Sequence, residues 1–405
     1  MHTMLGESWL TRGLFVVAGL LVIGDFVSTL FAVFYNRLWY EKRMRPRFSP
    51  GFQPSCAVIV PCKGVVKNME ENLRAFFRFD YRTYRVVFTV ESENDAAVPI
   101  IRRVLDGEPR GELVIAGLAH SCAQKNHNLL AAVEAVGEST VYVFADADIG
   151  PKEDWLRELV LPLSDPEVVV ATGFRWLRAE RPGLGAMAHN YINIFIYTLF
   201  SVAAFVGEVG LWGGSMAIRR RDFEELDIAG LWGRTAVDDM SLSRQVSTHG
   251  GSAVVVPTCI TTTDDLIETV HGGMRWFERQ IMFLKAYYRR LWLYGAAPIA
   301  LAGLAIVLWL PWALVASMSE HRTFLASGGA APLLFIAGEL LTAMLYPLMG
   351  SIPRFGRFLA VQPFLRATHA VSYFRTYFTN VITWAGVRYH LDRNGIVTRV
   401  ERAEQ

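Results

Sequence analysis

The chain has 405 residues, of which 52% are hydrophobic and only 19% charged, and its formal net charge is +2. This is too apolar for an ordinary soluble enzyme and too nearly neutral for a dedicated nucleic-acid binder, so nucleic acid is not an expected partner. The apolar excess is concentrated in a few windows, which leaves a polar middle able to fold as a domain of its own.

The first window, Leu14–Tyr35, carries a single charge, Asp25, and is long enough to cross a bilayer. It is too long for the core of a signal peptide and no small-residue cleavage pattern precedes Tyr35, so residues 1–36 read as an uncleaved transmembrane anchor. Arg37, Lys42, Arg43, Arg45 and Arg47 follow it, whereas only Arg12 precedes it. The positive-inside rule therefore places the residues after Tyr35 on the cytoplasmic face.

After a Pro-containing linker at Phe48–Pro54, Cys56–Val60 reads as a buried strand closed by Pro61-Cys62-Lys63-Gly64. Met69, Leu73, Phe76 and Phe77 then recur at helical spacing. A second strand, Arg85–Val90, ends in Glu91-Ser92-Glu93-Asn94-Asp95, and a helix follows over Val98–Leu105. Leu113–Ala116, a helix from about Lys125 and the strand Val141–Phe144 continue the alternation. Strand and helix in turn predict a parallel sheet with right-handed crossovers, a Rossmann-like α/β domain. No Gly-x-Gly-x-x-Gly follows the first strand, which argues against a nicotinamide or flavin cofactor.

Val141–Phe144 runs straight into Asp146-Ala147-Asp148. Two carboxylates at a strand's carboxyl end stand where open α/β sheets bind ligands, and as hard oxygen donors they can share a divalent cation. Lys63-Gly64, Glu91 with Asp95, and Asp146 with Asp148 should converge on one rim.

Beyond the rim, Asn190–Trp212 is apolar and reads as a core or interfacial helix. Gly213, Gly214 and Ser215 allow close backbone approach to a ligand ahead of a short strand ending at Arg219. Asp238-Asp239 opens another helix, and Ala253–Val256 is a further strand. Arg275-Trp276 lies on an amphipathic basic segment that leads to the second apolar window and could reach a donor site from the membrane side. His127 and His271 read as packing residues, because neither has a second ligand at metal spacing. Cys56, Cys62, Cys122 and Cys259 form no Cys-x-x-Cys pair and read as reduced core thiols.

Ala296–Met318 and Ala330–Ile352 are long enough to span, which assigns residues 294–352 to two transmembrane helices. Asp25 and Glu339 lie inside predicted spans, where an ionisable group is a functional candidate. Phe358–Gly386 is broken by Arg366, His369 and Arg375, so residues 353–405 read as an interfacial or membrane-associated tail.

With these motifs in order, the chain resembles the inverting family 2 glycosyltransferases, most closely the ceramide glucosyltransferase group. The motifs are Pro61-Cys-Lys63-Gly64, Glu91-Ser-Glu-Asn-Asp95, Lys125-Asn-His-Asn128, Asp146-Ala-Asp148, Asp238-Asp239 and Arg275-Trp276. The resemblance implies a nucleotide-sugar-binding domain of GT-A type over residues 55–293, with one N-terminal and at least two C-terminal transmembrane helices. It further implies a UDP-sugar donor held by Lys63, Glu91, Asp95, Lys125, Asp146, Arg275 and Trp276, and Mg2+ or Mn2+ on Asp148 with Asp146 close by. Asp239 would be the general base, with Gly214, Ser215 and Asp238 shaping the acceptor side and a membrane lipid, ceramide-like, as acceptor. Three positions depart from the pattern: Glu91 stands where aspartate is usual, Asp148 completes a second carboxylate that ceramide enzymes can lack, and Gly272 stands where Gln or Arg is expected. Either Arg279 or Gln280 then replaces that contact from the next turn, or the donor clamp is weaker here.

Two other readings compete. A processive β-polysaccharide synthase carries similar motifs but needs more spans than three. A catalytically inactive membrane scaffold or lipid-binding protein could keep the fold alone.

Overall fold

The computed structural model describes residues 2–179, 183–205, 210–264, 267–319, 330–352 and 354–402. The chain forms two compact units. One comprises Met1–Phe34, Ala179–Leu199 and Leu266–Thr379, and the other Tyr35–Arg178, Phe200–Asp265 and Asn380–Gln405.

The second unit is built on a seven-stranded sheet. Its strands in chain order are β1 (Cys56–Pro61), β2 (Tyr84–Val90), β3 (Gly111–Ile115), β4 (Val141–Ala145), β5 (Val168–Arg178), β6 (Ser215–Arg219) and β7 (Ser252–Asp264). Spatially they run β3-β2-β1-β4-β6-β5-β7. β1, β2 and β4 are buried on nearly every residue, which is why they appear as largely apolar runs, broken in β2 by Arg85 and Thr89. β3, β2, β1 and β4 are parallel, as the alternation predicts.

The sheet is mixed beyond β4, a correction to the all-parallel expectation. β6 runs antiparallel to both β4 and β5, while β5 and β7 are parallel. β5 itself has no counterpart among the predicted strands. The reversal has a local cause: β6 is entered at the rim, so Ser215 pairs with Ala145 at the carboxyl end of β4. Antiparallel β6 thereby brings the Gly213-Gly214 turn beside Asp146.

One core face is filled by Ala57, Ile59, Val87, Phe144, Met216, Ile218, Trp232, Leu242 and Val246. Trp232 meets Phe144 edge-on at 5.0 Å, and its indole N–H donates to the Asp238 carbonyl at 3.1 Å. Core packing thus sets the start of the helix Asp238–Thr248. All four cysteines are buried thiols in this unit, and burial pushes Cys56 up to about 12.

The same unit includes a small antiparallel sheet of β8 (Val381–Trp384), β9 (Val387–Leu391) and β10 (Val397–Arg402), in the order β10-β9-β8. These residues belong to the segment 353–405 predicted as an interfacial or membrane-associated tail, and they fold against the large sheet's loops. Val397 N–H donates to the Arg234 carbonyl at 2.9 Å, and Arg402 donates to the Ala119 carbonyl at 2.9 Å and to Gln124 Oε1 at 2.7 Å. Ala385 and Gly386 join β8 to β9 with φ of +48° and +80°, the left-handed pair that a two-residue hairpin turn requires.

The other unit is helical. Among the described residues, two of its helical segments are long and apolar enough to cross a membrane, Phe15–Phe34 with mean hydropathy 2.2 and Ala330–Leu348 with 1.6. Ala18, Ala331 and Phe335 pack together, and Gly338 faces Val22 so closely that a Cβ there would overlap the valine side chain. Small residues let these two helices approach. The other predicted span, Ala296–Met318, is helical over Ala297–Ser319, with Leu308–Ser319 as its described apolar part. Glu339 is buried and accepts hydrogen bonds from the Tyr191 hydroxyl at 3.2 Å and Gln362 Nε2 at 2.5 Å. Asn190–Trp212, read as a core or interfacial helix, is helical over Leu184–Phe205; residues 206–209 lie outside the described residues. Phe355–Arg375 forms a further helix.

Candidate active site

The rim at the carboxyl ends of β1, β2 and β4 collects most of the predicted site residues. Gly64 adopts φ +60°, a left-handed turn conformation, and its N–H donates to Asp95 Oδ1 at 2.9 Å. The same oxygen accepts from Ala97 N–H at 2.8 Å, so Asp95 ties the loop after β1 to the loop after β2. Lys63 Nζ lies 3.0 Å from Glu91 Oε2 and adds a second tie. Glu91 and Asp95 thus already serve the architecture of the rim.

Lys125 sits in the first turn of the helix Gln124–Ala135, where the helix dipole disfavours a cation. Its surroundings reverse that preference. Nζ lies 3.0 Å from Asp146 Oδ1, 3.0 Å from Asp238 Oδ2 and 3.2 Å from the Gly213 carbonyl. Burial works against the ammonium, but Asp146, Asp238 and Asp239 outweigh it and hold Lys125 above the ordinary lysine range. One cation therefore joins the Asp-x-Asp turn to the acidic pair.

Asp239 is fixed by two backbone donors, Gly213 N–H to Oδ2 at 2.9 Å and Met240 N–H to Oδ1 at 2.6 Å. Burial first, and then the charge of Asp238, raises it to about 7, with Lys125 opposing. A Cβ on Gly213 would overlap the Asp238 carboxylate, and one on Gly214 would lie 2.6 Å from Asp146 Oδ2 and against the Trp212 indole. Glycine at both positions is a requirement of the close approach. Ser215 is fully buried in β6, where it belongs to the sheet and not to an open surface.

Asp148 Oδ1 is buried with no hydrogen-bond partner, and burial together with the neighbouring Asp146 charge raises the carboxyl to about 6. A divalent cation would satisfy that oxygen and relieve the repulsion between the two carboxylates, so the residues fit the metal that the Asp-x-Asp pattern implies. Among the described residues no group of three His, Cys, Asp or Glu side chains could hold an ion by itself. Substrate or solvent oxygens would have to complete the coordination.

Arg275 and Trp276 lie on the helix Val270–Tyr287 of the helical unit. Arg275 is exposed and Trp276 packs on His189, with ring centroids 4.4 Å apart. Gly272 lies in the first turn of that helix, where its N–H donates to Thr269 Oγ1 at 3.0 Å, a role open to any residue but proline. His127 bonds the Ala116 carbonyl at 2.9 Å, a packing role.

Sequence reasoning did not find the rest of the wall. A cavity at the rim is lined by Pro61, Cys62, Lys63, Gln124, Lys125, Asn128 and Asp146, and also by Trp384, Ala385 and Tyr389 of the small C-terminal sheet. The available signal was Ala385-Gly386 between two short β-rich runs, which reads as a hairpin.

A parallel-rich sheet with an Asp-x-Asp turn at its central strand and an acidic pair held beside it defines a glycosyltransferase with a GT-A-like fold. The family model of glycosyl transferase family 21 matches residues 23–397, and the chain belongs to that family. The chain is similar to ceramide glucosyltransferase 1 of Caenorhabditis elegans, which is 24% identical over 238 residues, 57% of this chain. The match spans 50% of that relative's length. Among solved structures, the mannosyltransferase PcManGT from Pyrobaculum calidifontis, in complex with GDP-Man and Mn2+, is similar with a TM-score of 0.54 and 19% identity, over 90% of this chain and 99% of the other. Glucosyl-3-phosphoglycerate synthase from Mycobacterium tuberculosis is similar over 57% of this chain and 78% of its own, with a TM-score of 0.38 and 16% identity.

Proposed function

We propose that this glycosyltransferase is a membrane-bound hexosyltransferase that moves a hexose, glucose in the leading version, from a UDP-sugar to the hydroxyl of a membrane lipid, ceramide-like, with inversion at the anomeric carbon. The observation that carries the reading is the Asp146–Lys125–Asp238 bridge, which gathers two acidic motifs around the Gly213-Gly214 turn. The apolar helices and the similarity to a ceramide glucosyltransferase support the membrane and lipid parts. The basic residues after the anchor favour a cytoplasmic catalytic unit.

In this reading Asp239 removes the proton of the acceptor hydroxyl as that oxygen attacks the anomeric carbon. Its two backbone hydrogen bonds fix the carboxylate in place, and a proton affinity near neutrality suits a base. Lys125 neutralises Asp238 and keeps Asp239 ionisable. Asp148 and Asp146 would hold Mg2+ or Mn2+, which when bound stabilises the departing diphosphate. Lys63, Glu91 and Asp95 shape the nucleotide side, and Arg275 and Trp276 are assigned to the donor through the family motif.

The test is to incubate the purified protein with a panel of radiolabelled UDP-sugars and a total lipid extract. A labelled product that partitions into organic solvent supports the proposal. A water-soluble polymer would favour a processive synthase and overturn the lipid acceptor.

A further inference from the structure

The cavity on the rim has walls of two origins. Pro61, Lys63, Lys125 and Asp146 belong to the large sheet's loops, whereas Trp384 and Tyr389 come from the C-terminal sheet. Trp384 ends β8 next to the turn, half-buried, and its indole lies over Lys125 Nζ at 5.7 Å from the ring centroid. The ring's position relative to Lys125 is set by ties on the same helix. Tyr389 accepts a hydrogen bond from Gln124 N–H at 3.2 Å, and Arg402 donates to Gln124 Oε1 at 2.7 Å.

Ala385, beside it, holds φ +48° despite carrying a Cβ. It is the first residue of the two-residue turn between β8 and β9, whose geometry accounts for it. The indole in the cavity's wall offers a flat π surface beside Lys63, Lys125 and Asp146. The lining includes Asp146 and Lys125 but neither Asp148 nor Asp239. Since the hexose must reach Asp239, this cavity takes the opposite end of the donor.

We propose that Trp384 is a donor-contacting residue whose indole stacks on the nucleobase, so that the C-terminal sheet forms one wall of the nucleoside pocket. The inference rests on the nucleotide-sugar reading above. Aromatic stacking on a base predicts that losing the ring weakens nucleotide binding by about 10- to 100-fold.

The test is calorimetric binding of UDP, with Mn2+ present, to the full-length protein and its Trp384→Phe and Trp384→Leu variants, with inorganic pyrophosphate as a base-free probe. Both substitutions keep apolar bulk at a half-buried position, and thermal midpoints without nucleotide check folding. The expected result is UDP binding largely kept by Trp384→Phe, weakened about 10-fold or more by Trp384→Leu, and pyrophosphate binding unchanged in both. In transfer assays the loss should appear in KM for the UDP-sugar, with kcat nearly constant. Equal UDP affinity in wild type and Trp384→Leu, or parallel losses of UDP and pyrophosphate, overturns the stacking role, because a ring that merely covers Lys125 would act on both probes alike. Failure of the wild-type protein to bind UDP at all overturns the donor reading itself, which separates the two outcomes.

Discussion

The Lys125 ammonium lies 3.0 Å from Oδ2 of Asp238, whose side chain is only 2% exposed. The contact is a close ion pair without directed hydrogen-bond geometry at that oxygen. Removing one member of a buried pair costs about 3–5 kcal/mol, because the remaining charge has no compensation. Lys125→Met should therefore lower the thermal midpoint sharply in detergent, and Lys125→Met combined with Asp238→Asn should recover much of the loss. Additive effects of the two substitutions would mean that the pair is not coupled.

Asp239 makes stability and activity depend on pH in opposite senses. Its folded carboxyl is raised to about 7, whereas an unfolded aspartate titrates near 4. The folded state thus retains a proton that the unfolded chain releases. The associated stability is complete below roughly pH 4 and is lost as pH rises through about 7. As the proposed base, Asp239 must be ionised, so kcat/KM should rise with pH, with a midpoint near 7. Asp239→Asn should reduce transfer by about 100-fold or more and flatten the stability slope between those limits, with UDP binding kept. Full activity in that variant would remove Asp239 from the mechanism.

A cation on Asp148 should be visible as stabilisation. A ligand at 100 times its dissociation constant stabilises the folded state by about 2.7 kcal/mol, and chelation reverses it. Mn2+ should raise the thermal midpoint of the wild type, and EDTA should return it. Because Asp148 titrates at about 6, the shift should shrink below that pH. Asp148→Asn should abolish most of the shift without lowering metal-free stability, since it removes a desolvated carboxylate that Asp146 repels. An unchanged Mn2+ shift in this variant would place the ion elsewhere.

Two glycines should separate catalysis from stability. A Cβ at Gly214 would lie 2.6 Å from Asp146 Oδ2, so Gly214→Ala must displace the turn or the carboxylate. Transfer should fall at least about 10-fold, as expected when reacting groups move by an ångström. Gly173 lies inside the sheet, where a Cβ would overlap the Cys259 carbonyl and lie 2.5 Å from Ser215 Oγ. Gly173→Ala should mainly cost stability, about 1–3 kcal/mol by overpacking. Unfolding curves and initial rates on both variants distinguish the two effects.

The linear pattern of residues already determined the strands β1, β2 and β4, because burial on both faces leaves a mostly apolar run. It also determined the motif order and the apolar windows, each of which is a local property of composition and spacing. Only the tertiary structure decided the direction of β6, since a short apolar strand has the same sequence whether it runs up or down the sheet. That direction is what brings Gly213 and Gly214 to Asp146. The partners of Lys125 were likewise hidden, because its position in a first helical turn is unfavourable until two carboxylates from other loops close on it. The C-terminal sheet shows the limit most clearly. Arg402 reaches Gln124 across 278 residues of chain. No local spacing encodes a contact of that range, and only the packing of one sheet on another's loops brings Trp384 to the rim.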